Sequence, residues 1–330
     1  MSELRVLREA DLKAVLDVAT GLEIVERTFR DLGTRDIFRL SEPAALLGGS
    51  GLGMAARYKS KGATLISENV TGIRLISDVA RDRGFRSHHM LVVFDDATGA
   101  PIGLLNETWL HRFRTALTGV VAAKYLARRD SRVLALFGAG SIAAELFPAM
   151  TRTFELDEVR VVARRHASAE DFCRRHAGEP ARFVAMHDPR DALDGADIAI
   201  TLTLAESPVV QPGMLSPGAF LCSMGETEEV AFGVLEEIDR FVVDDFDYAT
   251  VLGDIAAWLD DRRIGRDALR ARIDGHIGEV VAETRPFREN ARQRIFAIVQ
   301  GMAICDLALA RHALSEAERR GLGENLDLFG

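Results

Sequence analysis

The sequence predicts an α/β protein built on a doubly wound parallel sheet, beside a second region of mixed sheet and helices. Three observations lead there. Strand and helix signals alternate from Arg132 to Val243. An apolar strand runs directly into Gly138-x-Gly140-x-x-Ala143 and then a helix. The N-terminal third has a different rhythm, of short strands and tight turns.

In chain order, Leu12, Val15, Leu16, Val18, Leu22, Val25 and Phe29 recur at helical spacing among charges, which predicts one or two amphipathic helices. From Gly53 the period becomes that of strands. GMAARYKSKGATLIS and TGIRLISDVA are two runs parted at Thr71-Gly72, and HMLVVFDDATGAPIGLLN is a hairpin turning at Asp96-Ala97-Thr98-Gly99. TALTGVVAAKYLA reads as a helix. Strands follow at Arg132 to Phe137, Val159 to Ala163, Ile198 to Leu202, Phe220 to Ser223 and Phe241 to Val243, and such alternation with helices implies parallel crossovers. Asp188 suits a helix cap and Pro189 a first helical position. Pro148 predicts a kink or an early end in the helix after the glycine turn. RIFAIVQGMAICDLALARHAL reads as one apolar helix, and the polar residues beyond it as a frayed end.

With 330 residues the chain has room for two domains. Its 41 basic and 50 acidic residues give a formal charge of -9 without a basic block, which argues against nucleic acid as a partner. The charged N-terminus and the lack of a long apolar run predict a cytoplasmic protein with no membrane partner. Cys173, Cys222 and Cys305 are scattered, odd in number and outside any C-x-x-C pair, so buried reduced thiols are expected. No metal site is predicted. His88 and His89 are neighbours on a strand and face opposite ways, and the acidic run from Asp244 to Tyr248 reads as a solvated loop.

The glycine turn carries the first chemical signal. A first glycine permits the tight turn, a second lets the backbone approach a pyrophosphate, and a small third residue packs helix on strand, so Gly138, Gly140, Ser141 and Ile142 are expected to bind a dinucleotide. The next strand ends in Ala163-Arg164-Arg165-His166, where an NAD-preferring site usually has a carboxylate. A guanidinium there suits a 2′-phosphate, so the expected cofactor is NADP, with NAD as the alternative. Thr201 and Thr203, at the end of a later strand, are expected on the cofactor side, and so are Met224 and Gly225. Arg57, Lys59 and Lys61 alternate on one face of AARYKSKGA and can point into one cleft.

The run FDDATGAPIGLLNETWLHRFRTALTGVVAAKYLARRDSRVLALFGAGSIA, continued by ADIAITLTLAESPVVQPGMLSPGAFLCSMG and GMAICD, resembles the ornithine cyclodeaminase/mu-crystallin family. The resemblance implies a Rossmann domain, 117–296, inserted into a substrate-binding and dimerisation domain made of 1–116 and 297–330. It also implies a homodimer. It implies that Arg114 holds a substrate carboxylate and that Thr115 approaches the cofactor; a planar guanidinium fork suits the first role. It further implies an active-site lysine, assigned to Lys59 with Lys61 as the competing alignment, and a second carboxylate-binding arginine, Arg39. Asp306 matches a family aspartate, which is read as structural.

One departure bears on the chemistry. Where cyclodeaminases of the family carry a general-base aspartate, this chain reads SMGETEEV, with Thr227 at the matching position and Glu226, Glu228 and Glu229 around it. A threonine hydroxyl does not take up a proton near neutral pH, so either a glutamate such as Glu226 serves or ring closure is absent. The expected function is therefore NAD(P)H-dependent hydride transfer at the C=N or C–N bond of a small amino-acid-like carboxylate. A cyclodeaminase with tightly bound NAD, and a non-catalytic protein that holds NADPH and a small ligand, are the alternatives.

Overall fold

The computed structural model describes residues 3–34, 37–48, 56–81, 84–283 and 286–328, with side chains except at 37–48, 56–57, 80–81 and 84–86. The chain divides into two compact units, Met1–Arg114 with Met302–Gly330, and Thr115–Gly301.

The first unit opens with β1 (Leu4–Leu7), α1 (Glu9–Val15) and α2 (Val18–Thr34), followed by β2 (Ile37–Gly48), β3 (Ala56–Leu65), β4 (Val70–Arg81), β5 (Gly84–Asp95) and β6 (Pro101–Asn106). The helix α3 (Thr108–Leu126) begins in this unit and brings it Arg114. The β5–β6 turn falls where the sequence places it, with Gly99 at φ +70° and Asp95 accepting from the Thr98 amide and hydroxyl. The other expected turn does not. Thr71 and Gly72 lie inside β4, and the chain reverses at Ile66–Asn69, where Asn69 takes a left-handed conformation.

The second unit runs β7 (Val133–Phe137), α4 (Ser141–Thr153), β8 (Glu158–Val162), α5 (His166–Arg175), β9 (Arg182–Met186), α6 (Pro189–Leu193), β10 (Ile198–Thr201), β11 (Phe220–Ser223) and β12 (Arg240–Val243). It continues through α7 (Phe246–Ala249), α8 (Gly253–Asp260), α9 (Arg266–Arg270), β13 (Gly275–His276), α10 (Ile277–Ala282) and β14 (Ile295–Ile298). These strands form one parallel sheet in the order β13-β12-β14-β11-β10-β7-β8-β9. The chain winds outward from β7 through β8 to β9 and then returns to β10 on the other side. A crevice thus opens at the carboxyl ends of β7 and β10, the place where ligands settle in such sheets.

Three expectations are corrected in this unit. RIFAIV is not helix: Ile295–Ile298 is a strand between β11 and β12, buried on both faces. A short, wholly apolar run cannot show which of the two it is, because burial on both faces erases the alternation. The helix α4 continues through Pro148 to Thr153; Pro148 lies on its exposed side, where a forfeited backbone bond costs least. Asp244 and Asp245 are buried rather than solvated, Asp245 capping α7 through the Tyr248 amide and Asp244 accepting from the Gly301 amide.

The chain then re-enters the first unit as α11 (Ala303–Arg320) and β15 (Glu324–Leu326). The tail is no frayed end: β15 pairs antiparallel with β1 and completes a seven-stranded mixed sheet, β15-β1-β6-β5-β4-β3-β2. α11 packs on β3, β4 and β5. Leu307 sits so close to Gly72 that a Cβ there would lie 2.6 Å from it, so this glycine serves helix-on-sheet packing and not a turn.

Candidate active site

In the first unit, strand register assembles a charged cluster. Lys61 lies opposite Arg74, Lys59 opposite Ile76, Ile76 opposite His89, and Asp78 opposite Ser87. Opposed residues share a face, so Lys59, Lys61, Arg74, Asp78 and His89 project to one side of the sheet. Glu107, at the start of α3, and His111 and Arg114 along it, together with Asp306 from α11, complete the group. Arg74, Glu107, Arg114 and Asp306 are fully buried.

Arg74 Nε lies 2.5 Å from Glu107 Oε1 and its Nη1 3.2 Å from Asp306 Oδ2, while Arg114 Nε donates to Asp306 Oδ1 at 2.8 Å. His111 Nδ1 lies 2.8 Å from Arg114 Nη2 and 3.2 Å from Arg74 Nη2. A guanidinium only donates, so Nδ1 accepts from both and the ring proton resides on Nε2. Burial, reinforced by Arg114 and Arg74, holds His111 well below the usual histidine range. His89, its ring 4.6 Å from that of His111, is lowered to about 4 by burial and then by Arg74. Burial, aided by Arg74 and Arg114, also draws the Lys61 ammonium well below the ordinary lysine value.

The two acids diverge. Burial pushes Glu107 well above the carboxylate range despite Arg74. Burial acts on Asp306 in the same sense, but Arg114 and Arg74 outweigh it and hold this carboxyl below its usual value. Two fixed guanidinium charges therefore face one ionised carboxylate. Arg114 Nη1 is buried and has no hydrogen-bond partner among the described residues. An unmet buried donor costs about 1–3 kcal/mol, more when charged, and an anion is the kind of group that would meet it.

The expected residues fall differently within it. Arg114 is a buried member of the cluster, and Asp306 is its direct partner rather than remote scaffolding. Lys59 Nζ stands 3.8 Å from Asp78 Oδ2, whereas the ammonium of Lys61 is disfavoured by burial first and by Arg74 and Arg114 after it. His88 is exposed and His89 buried, so one of the pair does join the cluster. Arg39 and Arg57 lie on β2 and β3, their side chains outside the described residues. Arg74, Glu107 and His111 were not singled out in the sequence. A signal existed for two of them, because Glu107, His111 and Arg114 stand at i, i+4 and i+7, a polar stripe on an otherwise apolar helix.

In the second unit, Gly138 takes φ +110°, and a Cβ there would lie 2.5 Å from the Leu202 carbonyl oxygen. Only glycine fits. Gly140 differs: its backbone is extended, and an added Cβ would meet nothing within 4 Å. The fold gives no reason for glycine at 140, whereas close approach of a phosphate does. It caps α4 without a side chain, leaving the amides of Ser141 and Ile142 at an open helix start; Ser141 is exposed and Ile142 half-buried. These residues fit a dinucleotide pyrophosphate. Thr115 is buried on α3. Arg164 and Arg165 are exposed and take no ion pair among the described residues.

The loop after β11 is organised by buried acids. Glu229 accepts from the Thr201 hydroxyl at 2.6 Å, the Gly225 amide at 2.8 Å and the Ser223 hydroxyl at 3.2 Å, and also from the Thr203 amide. It thereby ties the ends of β10 and β11 together, with burial raising its own pKa. Met224 and Gly225 are buried in this loop. Asp254 accepts from the Glu229 and Val230 amides and is pushed up to about 7 by burial and by Glu229. Glu228 is engaged by Arg263 and by the Trp258 indole. Glu226 is exposed. Thr227 Oγ1 is buried without a hydrogen-bond partner among the described residues.

Residues 64–320 match the sequence pattern of the ornithine cyclodeaminase/mu-crystallin family. The chain is 30% identical over 240 residues to an uncharacterized cyclodeaminase of Sinorhizobium fredii, covering 71% of each chain. It is 27% identical over 253 residues to the alanine dehydrogenase of Archaeoglobus fulgidus, 75% of this chain and 76% of that one. Among solved structures, an archaeal alanine dehydrogenase dimer with bound NAD superposes with a TM-score of 0.89 at 22% identity, covering 99% of this chain and 100% of that one. Thermococcus litoralis Δ1-pyrroline-2-carboxylate reductase, in complex with NADH and L-proline, gives 0.88 at 23% identity, covering 98% and 100%. These two likenesses establish the Rossmann-type α/β fold. No helix among the described residues is long and apolar enough to cross a membrane.

Proposed function

The chain belongs to the ornithine cyclodeaminase/mu-crystallin family, and from that premise we propose that it is an NADPH-dependent oxidoreductase acting on the C=N or C–N bond of an amino-acid-derived carboxylate. The observation that carries this reading is the unmet buried Nη1 of Arg114 in a cluster where two guanidinium groups face one ionised carboxylate. Arg114 grips the substrate carboxylate, held for the task by Asp306 and His111. Lys61, with its ammonium already pulled down, gives or takes the proton at the substrate nitrogen; Lys59, facing Asp78, supports it. A reduced nicotinamide, when bound, supplies the hydride. Gly138, Gly140, Ser141 and Ile142 hold its pyrophosphate, and the uncommitted Arg164 and Arg165 select the 2′-phosphate of NADP over the bare ribose of NAD.

The cyclodeaminase reading is left with Glu226 as its base: Thr227 stands where the family carries the aspartate, Glu228 is held by Arg263 and Trp258, and Glu229 is spent on the strand ends, while Glu226 is exposed. The exposed Tyr58, Ile73, Leu75 and Met90 make an apolar outer face on β3, β4 and β5, opposite to the charged one, and a second copy of the chain covers it in a homodimer.

The test follows NADPH and NADH absorbance with cyclic ketimines and with keto acid and amine mixtures. Substrate-dependent oxidation that prefers NADPH and is lost in Arg114→Ala is expected. Conversion of ornithine to proline with no net cofactor change would overturn the reductase in favour of the cyclodeaminase, and binding without turnover would favour a carrier.

A further inference from the structure

β8 pairs with β7 and β9 with β8, and all three run parallel, so their carboxyl ends form a row that starts at the glycine turn. His166 opens α5 just after Arg165, and His187 follows β9. Their rings stack with centroids 3.4 Å apart and planes 13° from parallel. His187 is exposed, whereas His166, its stacking partner, is half-buried. His166 Nε2 stands 3.6 Å from Glu170, and its Nδ1 is buried without a hydrogen-bond partner among the described residues.

We propose that His187, backed by His166, is the platform on which the adenine ring of the dinucleotide stacks. Neighbouring strands are about 4.8 Å apart, so the end of β9 lies about 10 Å along the row from the glycine turn, within reach of an adenosine whose phosphates sit at α4. An aromatic face binds any base through its π surface and excludes water from the far side of the ring. The division of labour then follows the row: the glycine turn takes the pyrophosphate, Arg164 and Arg165 take the ribose 2′-phosphate, and His187 takes the base. His166 is a positioning residue, since it fixes the plane of His187. The platform rests on the dinucleotide reading of the glycine turn but not on the choice between NADP and NAD, because both carry adenine.

The experiment is calorimetric titration of the full chain with NADPH and with NADH, checked by circular dichroism for fold. His187→Ala is expected to weaken both about tenfold and by the same factor, with His187→Phe restoring them, since stacking needs a ring and not a charge. Arg164→Ala with Arg165→Ala is expected to weaken NADPH alone. Unchanged affinity for both dinucleotides in His187→Ala overturns the platform while leaving the NADP reading intact. Equal loss of both in His187→Ala, with no NADPH-specific loss in the arginine variant, upholds the platform and removes the 2′-phosphate reading. Failure of the unaltered chain to bind either dinucleotide overturns the two together.

Discussion

Glu107 and Asp306 lie in the same buried cluster with the same arginine, yet their substitution to amides should have opposite consequences. Asp306→Asn removes the ionised carboxylate that meets Arg114 Nε at 2.8 Å and Arg74 Nη1 at 3.2 Å. Arg114, with no exposure, then loses its carboxylate partner and Arg74 keeps only Glu107, and breaking a buried pair in this way costs about 3–5 kcal/mol. At roughly 2–4 °C per kcal/mol for a domain of ordinary size, the thermal midpoint should fall by about 6–20 °C. Glu107→Gln should be tolerated far better, because burial already disfavours the charged form of this acid and raises its pKa. The amide retains an oxygen for Arg74 and places N–H where the carboxyl proton meets Asp306, so the change should stay within about 1 kcal/mol. The pH dependence separates them further. The folded pKa of Glu107 lies above its unfolded value, so its stabilisation is present at low pH and is lost as pH rises through the folded pKa; Glu107→Gln should remove that loss. Asp306 has a depressed folded pKa, so its contribution is present above the unfolded value and lost as pH falls through the folded one. Differential scanning calorimetry from acid to mildly alkaline pH reads both. Equal destabilisation by the two substitutions at neutral pH would mean that both acids are ionised, and the surplus positive charge assigned to the site would be wrong.

Arg114→Lys keeps the charge but loses the fork, and should reduce kcat/KM by roughly 10- to 150-fold, the worth of one charge-assisted hydrogen bond; steady-state kinetics at saturating cofactor checks it. The two glycines of the turn should part company. Gly138→Ala meets the Leu202 carbonyl at 2.5 Å from a positive φ and should lower the thermal midpoint, while Gly140→Ala meets nothing in the protein and should leave the midpoint unchanged yet weaken NADPH binding about tenfold or more in a fluorescence titration. Leu75→Glu puts a charge in the exposed apolar face of β4, and should shift the particle from dimer to monomer in analytical ultracentrifugation without unfolding it.

Features that depend on a few adjacent residues were legible in the sequence by itself. The glycine turn, the Asp188-Pro189 helix start, the hairpin at Asp96 to Gly99 and the strand-helix alternation all follow from local backbone preferences, and each stands where the sequence places it. Elements whose identity depends on burial were not legible. Ile295–Ile298 is a strand because it fills a slot between β11 and β12, and Gly72 lies within a strand because Leu307 presses on it. The charged cluster depends on tertiary structure most of all. Arg114 and Asp306 are 192 residues apart, and Arg74 joins them only through the β3–β4–β5 register. The resemblance singles out Arg114, as an expected carboxylate ligand. That the pKa of Glu107 is raised, that His111 accepts from two arginines and that Arg114 Nη1 is left over among the described residues are consequences of burial and distance, which no local pattern encodes.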